Sequence, residues 1–294
     1  MAKCAVKVIA VICLLFLFPP SSSRARKLPG SGPVHPTELP FHMSHGMLIV
    51  IPGRIGNLRN LRFVLDTGTT QTVVDRRVRD QLHLSCRRGN PLVNFNRTVG
   101  LEQCTLPEIE IGSFRLTRLP VYVARLTRLS GFLDEADVLV GLDVLGASKF
   151  TIDYASDEVT FYSMKRPATP PAKDPDDPLC MTAVIQIQGH PVRLIVDTGV
   201  RGVLLYENRL RMRVPHLRVD GKTEEVNIGG HMPAKRVTLP GVWLGKMETN
   251  WVVLLIAAPA KNALPGIDGF LGVSVLKARR ITLDFVDGTL TWEH

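Results

Sequence analysis

The chain repeats itself at long range, and that repeat limits its possible folds more than any other feature. FVLDTGTT, Phe63 to Thr70, returns as LIVDTGVR, Leu194 to Arg201, which sets Asp66 and Asp197 131 positions apart. The same offset recurs far downstream. VLVGLDVLGASKFTIDYASDEVTFY, from Val138, lies over GFLGVSVLKARRITLDFVDGTLTWE, from Gly269, matching Gly141 with Gly272, Asp153 with Asp284 and Phe161 with Trp292. Between these blocks VNFNR from Val93 answers VNIGG from Val226, and TLPEIEIG from Thr105 answers TLPGVWLG from Thr238, both at an offset of 133. Two residues gained and lost again are what hairpin loops allow, so the chain is a tandem of two similar lobes. Each copy runs apolar residues straight into an aspartate and then turns at once through Thr and Gly. A buried carboxylate is costly unless neighbours donate hydrogen bonds to it or it shares a proton.

The lobes span 47–163 and 181–294. Between them MKRPATPPAKDPDDPLC, Met164 to Cys180, carries five prolines, so 164–180 is expected to be an extended linker. Within each lobe short segments rich in Val, Ile, Leu, Thr and Phe are punctuated by Gly, Asn-Arg and Asp-Gly turns, the pattern of a mostly β chain. Helix is expected only at Arg76 to Leu84, in the turn after Gly141 and in its counterpart after Gly272. Residues 27–46, with Pro, Gly, Ser and three histidines, are expected to form a loosely attached leader.

At the N-terminus Lys3 and Lys7 lead into the apolar run Val8 to Phe18, followed by Pro19-Pro20 and small residues. This predicts a signal peptide over 1–26 and an exported protein, periplasmic or secreted. The run is short for a membrane span, and retention as an N-terminal anchor is the alternative. Loss of the signal would leave Cys86, Cys104 and Cys180, an odd number that allows one internal disulfide. Cys86 with Cys104 is the candidate, with three free thiols as an even alternative.

With 45% hydrophobic and 21% charged residues the chain has a globular balance rather than a disordered one. The net charge of +9 would suit an anionic partner, but the arginines are scattered and no zinc, helix-turn-helix or RNA-platform pattern accompanies them. No nucleic-acid partner is expected. The eight histidines lack metal-ligand spacing, and no phosphate loop, dinucleotide fingerprint or Gly-x-Ser-x-Gly elbow appears. Neither a metal nor a cofactor is expected.

Two Asp-Thr-Gly triplets, each followed 73 positions later by two apolar residues and a Gly (Leu139-Val140-Gly141 and Phe270-Leu271-Gly272), resemble the aspartic peptidases. The short lobes, Gly229-Gly230 and GLDVLG in the first lobe are closer to the retropepsin-like branch than to pepsin. The resemblance covers nearly the whole mature chain. It implies a mostly β acid-protease fold, with two pseudo-symmetric retropepsin-like β-barrel lobes and a cleft between them.

The implied activity is that of an aspartic endopeptidase. Peptide hydrolysis without a metal or a covalent nucleophile needs one carboxylate to take a proton from water and a second acid to give one to the carbonyl oxygen. Asp66 and Asp197 are the candidate catalytic pair, since close like charges cannot both ionise and so share a proton. Gly68 and Gly199 would turn the chain and present N–H groups to them, while Thr67 and Thr198 would hydrogen-bond across the lobe interface, as the matching threonines do in the family. Thr69 follows the first triplet where Val200 follows the second. A Thr69 hydroxyl donor would make Asp66 the readier to ionise and leave the proton on Asp197.

Hairpins around Asn94 to Leu101 and Asn227 to Ala234 stand where the family folds flaps over its substrate. Asn227, Ile228, Gly229 and Gly230 are the candidate substrate-binding tip, with ordinary rim hairpins as the alternative. Arg201 is expected to bridge the lobes through a salt bridge, or else to select acidic substrate side chains. The partner would be a peptide or protein substrate extended across the cleft of a monomer. The competing reading is a catalytically inactive scaffold that binds a peptide or protein without cutting it.

Overall fold

The computed structural model describes residues 14–15, 36–94, 97–126, 136–164, 180–227, 230–257 and 265–294. In the first lobe, strand Leu48–Ile55 turns back into Leu58–Leu65, the strand that delivers Asp66. Leu58–Leu65 pairs in parallel with Val138–Val140, which pairs on its other edge with Val73–Asp75. The circuit continues through Phe114–Ala124 and Glu102–Ile111, and Glu102–Ile111 returns to Leu48–Ile55, so the sheet closes into a barrel. The second lobe runs the same circuit through Thr182–Ile187, His190–Asp197, Gly269–Gly272, Val203–Tyr206, Met247–Ile256 and Gly230–Leu244, and closes on Thr182–Ile187.

Burial explains why the strands beside each aspartate read as unbroken apolar runs. Phe63, Val64 and Leu65 and their partners Val138, Leu139 and Val140 are all at or near zero exposure. A strand covered on both faces has no polar side to alternate with.

The lobes are joined by a five-stranded sheet in the order Thr37–Pro40, Glu158–Met164, Ser148–Asp153, Arg280–Asp284, Thr289–Glu293. At its centre Thr151 faces Thr282, exact repeats of one another, with their hydroxyl oxygens 2.7 Å apart. The local two-fold axis therefore passes between them. To either side stand two ion pairs that this axis exchanges, Asp153 with Arg280 at 2.6 Å and Asp284 with Lys149 at 3.1 Å. Asp153 and Asp284 also accept main-chain N–H groups in the hairpin turns that follow them, as their positions predict.

Several expectations need correction. The segment 27–46 is no loose leader in its second half: Thr37–Pro40 forms an edge of the inter-lobe sheet, His42–Ser44 joins the first barrel, and Phe41 is buried between them. The first helix spans Arg76–Gln81 rather than reaching Leu84. Asp75 caps its start, and His83, at φ 49°, turns the chain out of it. A helix at Glu207–Arg213 was not foreseen, although it sits at the repeat offset from the first. The turns after Gly141 and Gly272 are helical, over Leu142–Leu145 and as a 3₁₀ turn over Val273–Leu276.

Cys86 and Cys104, opposed in neighbouring antiparallel strands, form a disulfide, while Cys180 is a buried free thiol. The linker between Met164 and Cys180 lies outside the described residues. So does the segment 1–26 expected to be a signal peptide, apart from Leu14–Leu15, which pairs with Leu92–Asn94. Among the described residues no helix is long and apolar enough to cross a membrane.

Candidate active site

The two Asp-Thr-Gly turns meet on the axis that runs between Thr151 and Thr282. Thr67 donates its N–H to the Thr198 hydroxyl at 3.1 Å, and Thr198 donates its N–H to the Thr67 hydroxyl at 3.0 Å. Each hydroxyl donates in turn to a main-chain oxygen of the opposite lobe, Thr67 to Val196 at 2.9 Å and Thr198 to Leu65 at 2.7 Å. Four buried hydrogen bonds, equivalent in pairs, thus lock the residues on either side of both aspartates. The cross-lobe role expected of Thr67 and Thr198 is the one the structure gives them.

Asp66 and Asp197 are fully buried. The Oδ1 of Asp66 accepts the N–H groups of Gly68 and Thr69 at 3.0 and 3.1 Å, and the Oδ1 of Asp197 accepts the Gly199 N–H at 2.7 Å. The Oδ2 of each is buried without a hydrogen-bond partner. A side chain on Gly68 would collide with the Asp197 carboxylate, so this glycine is what permits the close approach. Gly141 and Gly272 serve one layer behind. A Cβ on Gly141 would stand 2.6 Å from the main chain of Gln71, and one on Gly272 would strike the main chain of Val200 and Gly202.

Burial holds the Asp66 carboxyl well above the usual carboxylate range, the charge of Asp197 raises it further, and the Gly68 and Thr69 N–H groups act against both. Burial likewise raises Asp197, opposed by the Gly199 N–H, by Asp66 and by the Gly68 N–H. Two buried carboxyls that respond to each other titrate as a unit. The pair therefore keeps a proton at pH values where an exposed aspartate has lost its own.

The expected role of the Thr69 hydroxyl does not hold, because that hydroxyl donates to the Gln71 main-chain oxygen at 3.3 Å. Thr69 supports Asp66 through its main-chain N–H instead. The Cys180 thiol lies within electrostatic reach. Burial and then the charges of Asp197 and Asp66 push it up to about 12, so it stays a neutral thiol.

One support was missed in the sequence. Asp143 accepts the Thr72 N–H at 2.9 Å and the Thr72 hydroxyl at 2.7 Å, and that hydroxyl accepts the Gly141 N–H at 3.2 Å, tying the first turn to the helix behind it. The equivalent of Asp143 is Ser274, whose hydroxyl accepts the Gly202 N–H at 3.4 Å. The signal was present in GLDVLG, since an aspartate in the first turn of a short apolar helix needs a donor nearby.

Arg201 does connect the lobes, though not by a salt bridge: it donates to the His45 main-chain oxygen at 2.6 Å. Both candidate flaps are hairpins. Asn94 faces Arg97 in one and Asn227 faces Gly230 in the other, and the tips, Ile228 and Gly229 among them, lie outside the described residues. Among the described residues no group of three or more His, Cys, Asp or Glu is arranged to hold a metal ion.

The family model described as aspartyl protease matches residues 51–144 and again 183–275, one match per lobe. No curated protein matches. Among solved structures, the chain is similar to a retropepsin-like aspartic protease from Rickettsia conorii, at 16% identity and a TM-score of 0.32 over 43% of this chain and 89% of that one. It is also similar to an aspartic proteinase from Irpex lacteus, at 12% identity and a TM-score of 0.45 over 87% and 96%. Matched twice, over well over half its length, with the buried Asp66 on one matched unit and the buried Asp197 on the other, this chain belongs to the aspartyl protease family.

Proposed function

We propose that the protein is an aspartic endopeptidase in which Asp66 and Asp197 activate one water molecule against a peptide bond. The observation that carries this reading is the pair of buried carboxyls, each with one oxygen anchored by main-chain N–H groups and the other left without a protein partner. An ionised carboxylate takes a proton from the attacking water, and the protonated partner gives its own to the carbonyl oxygen. The tetrahedral intermediate then collapses, releasing the amine with a proton returned through the pair. Thr67 and Thr198 hold the carboxyls at fixed separation, the condition under which two groups act on one water.

The substrate is a peptide or protein segment lying extended across the cleft, covered by the hairpins around Asn94 to Leu101 and Asn227 to Ala234. The two lobes supply within one chain what two subunits would otherwise supply, so a monomer suffices. Export fits the Cys86–Cys104 disulfide, which persists in oxidising compartments.

The test is cleavage of a mixed peptide library from pH 3 to 8 in ¹⁸O-labelled water, followed by mass spectrometry. The wild type should cut and place one ¹⁸O in each new carboxyl, while folded Asp66→Asn and Asp197→Asn proteins should not cut. Peptides bound but never cut by the wild type would favour the inactive scaffold.

A further inference from the structure

We infer that Arg201 selects a Glu or Asp side chain in the substrate at a single position on one side of the scissile bond. The inference rests on the proteolytic reading above and adds to it a substrate class. Arg201 is the fourth residue beyond Asp197, in the same turn. Its guanidinium crosses to the first lobe, where it donates to the His45 oxygen at 2.6 Å and lies against Gly46.

His45 and Gly46, at φ 54° and 67°, are the two central residues of a tight hairpin turn closed by the Met47 N–H on the Ser44 oxygen at 3.2 Å. This turn leads into Leu48–Ile55, which pairs with Leu58–Leu65, the strand that delivers Asp66. Arg201 thus lies four residues beyond Asp197 and against the turn that opens the strand beside the Asp66 strand, and the inference sets it at the rim that a bound peptide crosses.

The charge there is not neutralised. The His45 oxygen is a neutral acceptor, the side chain is exposed, and among the described residues Arg201 has no carboxylate partner. A guanidinium carries five N–H donors in a planar fork, so after the bond to His45 it still offers donors suited to a carboxylate. The local two-fold axis restricts the effect to one side, because the position equivalent to Arg201 is Thr70, which is uncharged and buried.

The test scans Gln to Glu, one position at a time, through an otherwise neutral octapeptide that the wild type cuts. At one position Glu should raise kcat/KM about tenfold over Gln, the scale of a charge-assisted contact. Arg201→Gln should flatten that preference, Arg201→Lys should keep part of it, and Arg201→Glu should turn it toward Lys, each read as the Glu-to-Gln ratio within one variant.

The same scan is read as binding to Asp66→Asn with and without Arg201→Gln, which separates recognition from cleavage. Arg201-dependent preference for Glu in binding upholds the inference even if no peptide is cut, in which case the proteolytic reading alone falls. Cleavage or binding with no preference for Glu at any position, or with a preference that survives Arg201→Gln, overturns it.

Discussion

Asp197 shows at the scale of one residue how a site can be costly and kept. Its carboxyl is buried with one main-chain donor, and burial pushes it up to about 8. The unfolded chain ionises this group near the ordinary aspartate value, so folding favours the protonated form. That contribution is fully present below the unfolded value and is lost as pH rises through the folded one, which makes the pair progressively destabilising toward neutral pH. Asn keeps the shape and cannot ionise. Asp197→Asn should therefore unfold at a higher urea concentration than the wild type at pH 7, with the gain vanishing near pH ~3.5. A variant less stable at every pH would show that the carboxylate is fully compensated where it sits.

At the scale of elements, the strand Cys86–Arg88 is fixed to Glu102–Ile111 both by pairing and by the disulfide, which closes a loop with a sequence separation of 18. Loop closure on that scale contributes about 3 kcal/mol by restricting the unfolded chain. A Cys86→Ser/Cys104→Ser protein should lose about that much in denaturant while its second lobe is unchanged, as amide exchange can resolve. Equal loss of protection in both lobes would contradict a local role.

The sequence made the strands beside the aspartates legible because their burial removes all polar residues, and the repeat made the lobe pairing legible. It did not reveal Thr37–Pro40, whose Pro and His neighbours look unstructured until an inter-lobe edge strand is there to pair with. Nor did it reveal Glu207–Arg213, where Tyr206 replaces the aspartate cap that marks the first helix. The site was read by residue type more securely than by contact. Thr67 and Thr198 act as their positions imply, whereas the Thr69 hydroxyl turns to Gln71, a choice of rotamer that no spacing encodes.

At the scale of the molecule, the two lobes relate to each other as a symmetric dimer would, through one self-complementary interface. Thr151 with Thr282, and Thr67 with Thr198, mark the axis at two depths. The covalent tandem then lets the halves differ. Asp143 braces the first turn where Ser274 stands in the second, and Arg201 has Thr70 as its counterpart, so a centre built by symmetry can address an asymmetric peptide.

The central claim is that the axis brings Asp66 and Asp197 into one proton-sharing pair, and carboxyl ¹³C NMR of both residues from pH 3 to 9 tests it most directly. The account predicts that the two signals move together, with one proton retained past neutral pH, and that Asp197→Asn changes the titration of Asp66. Two independent titrations, both complete below pH 5, would contradict it.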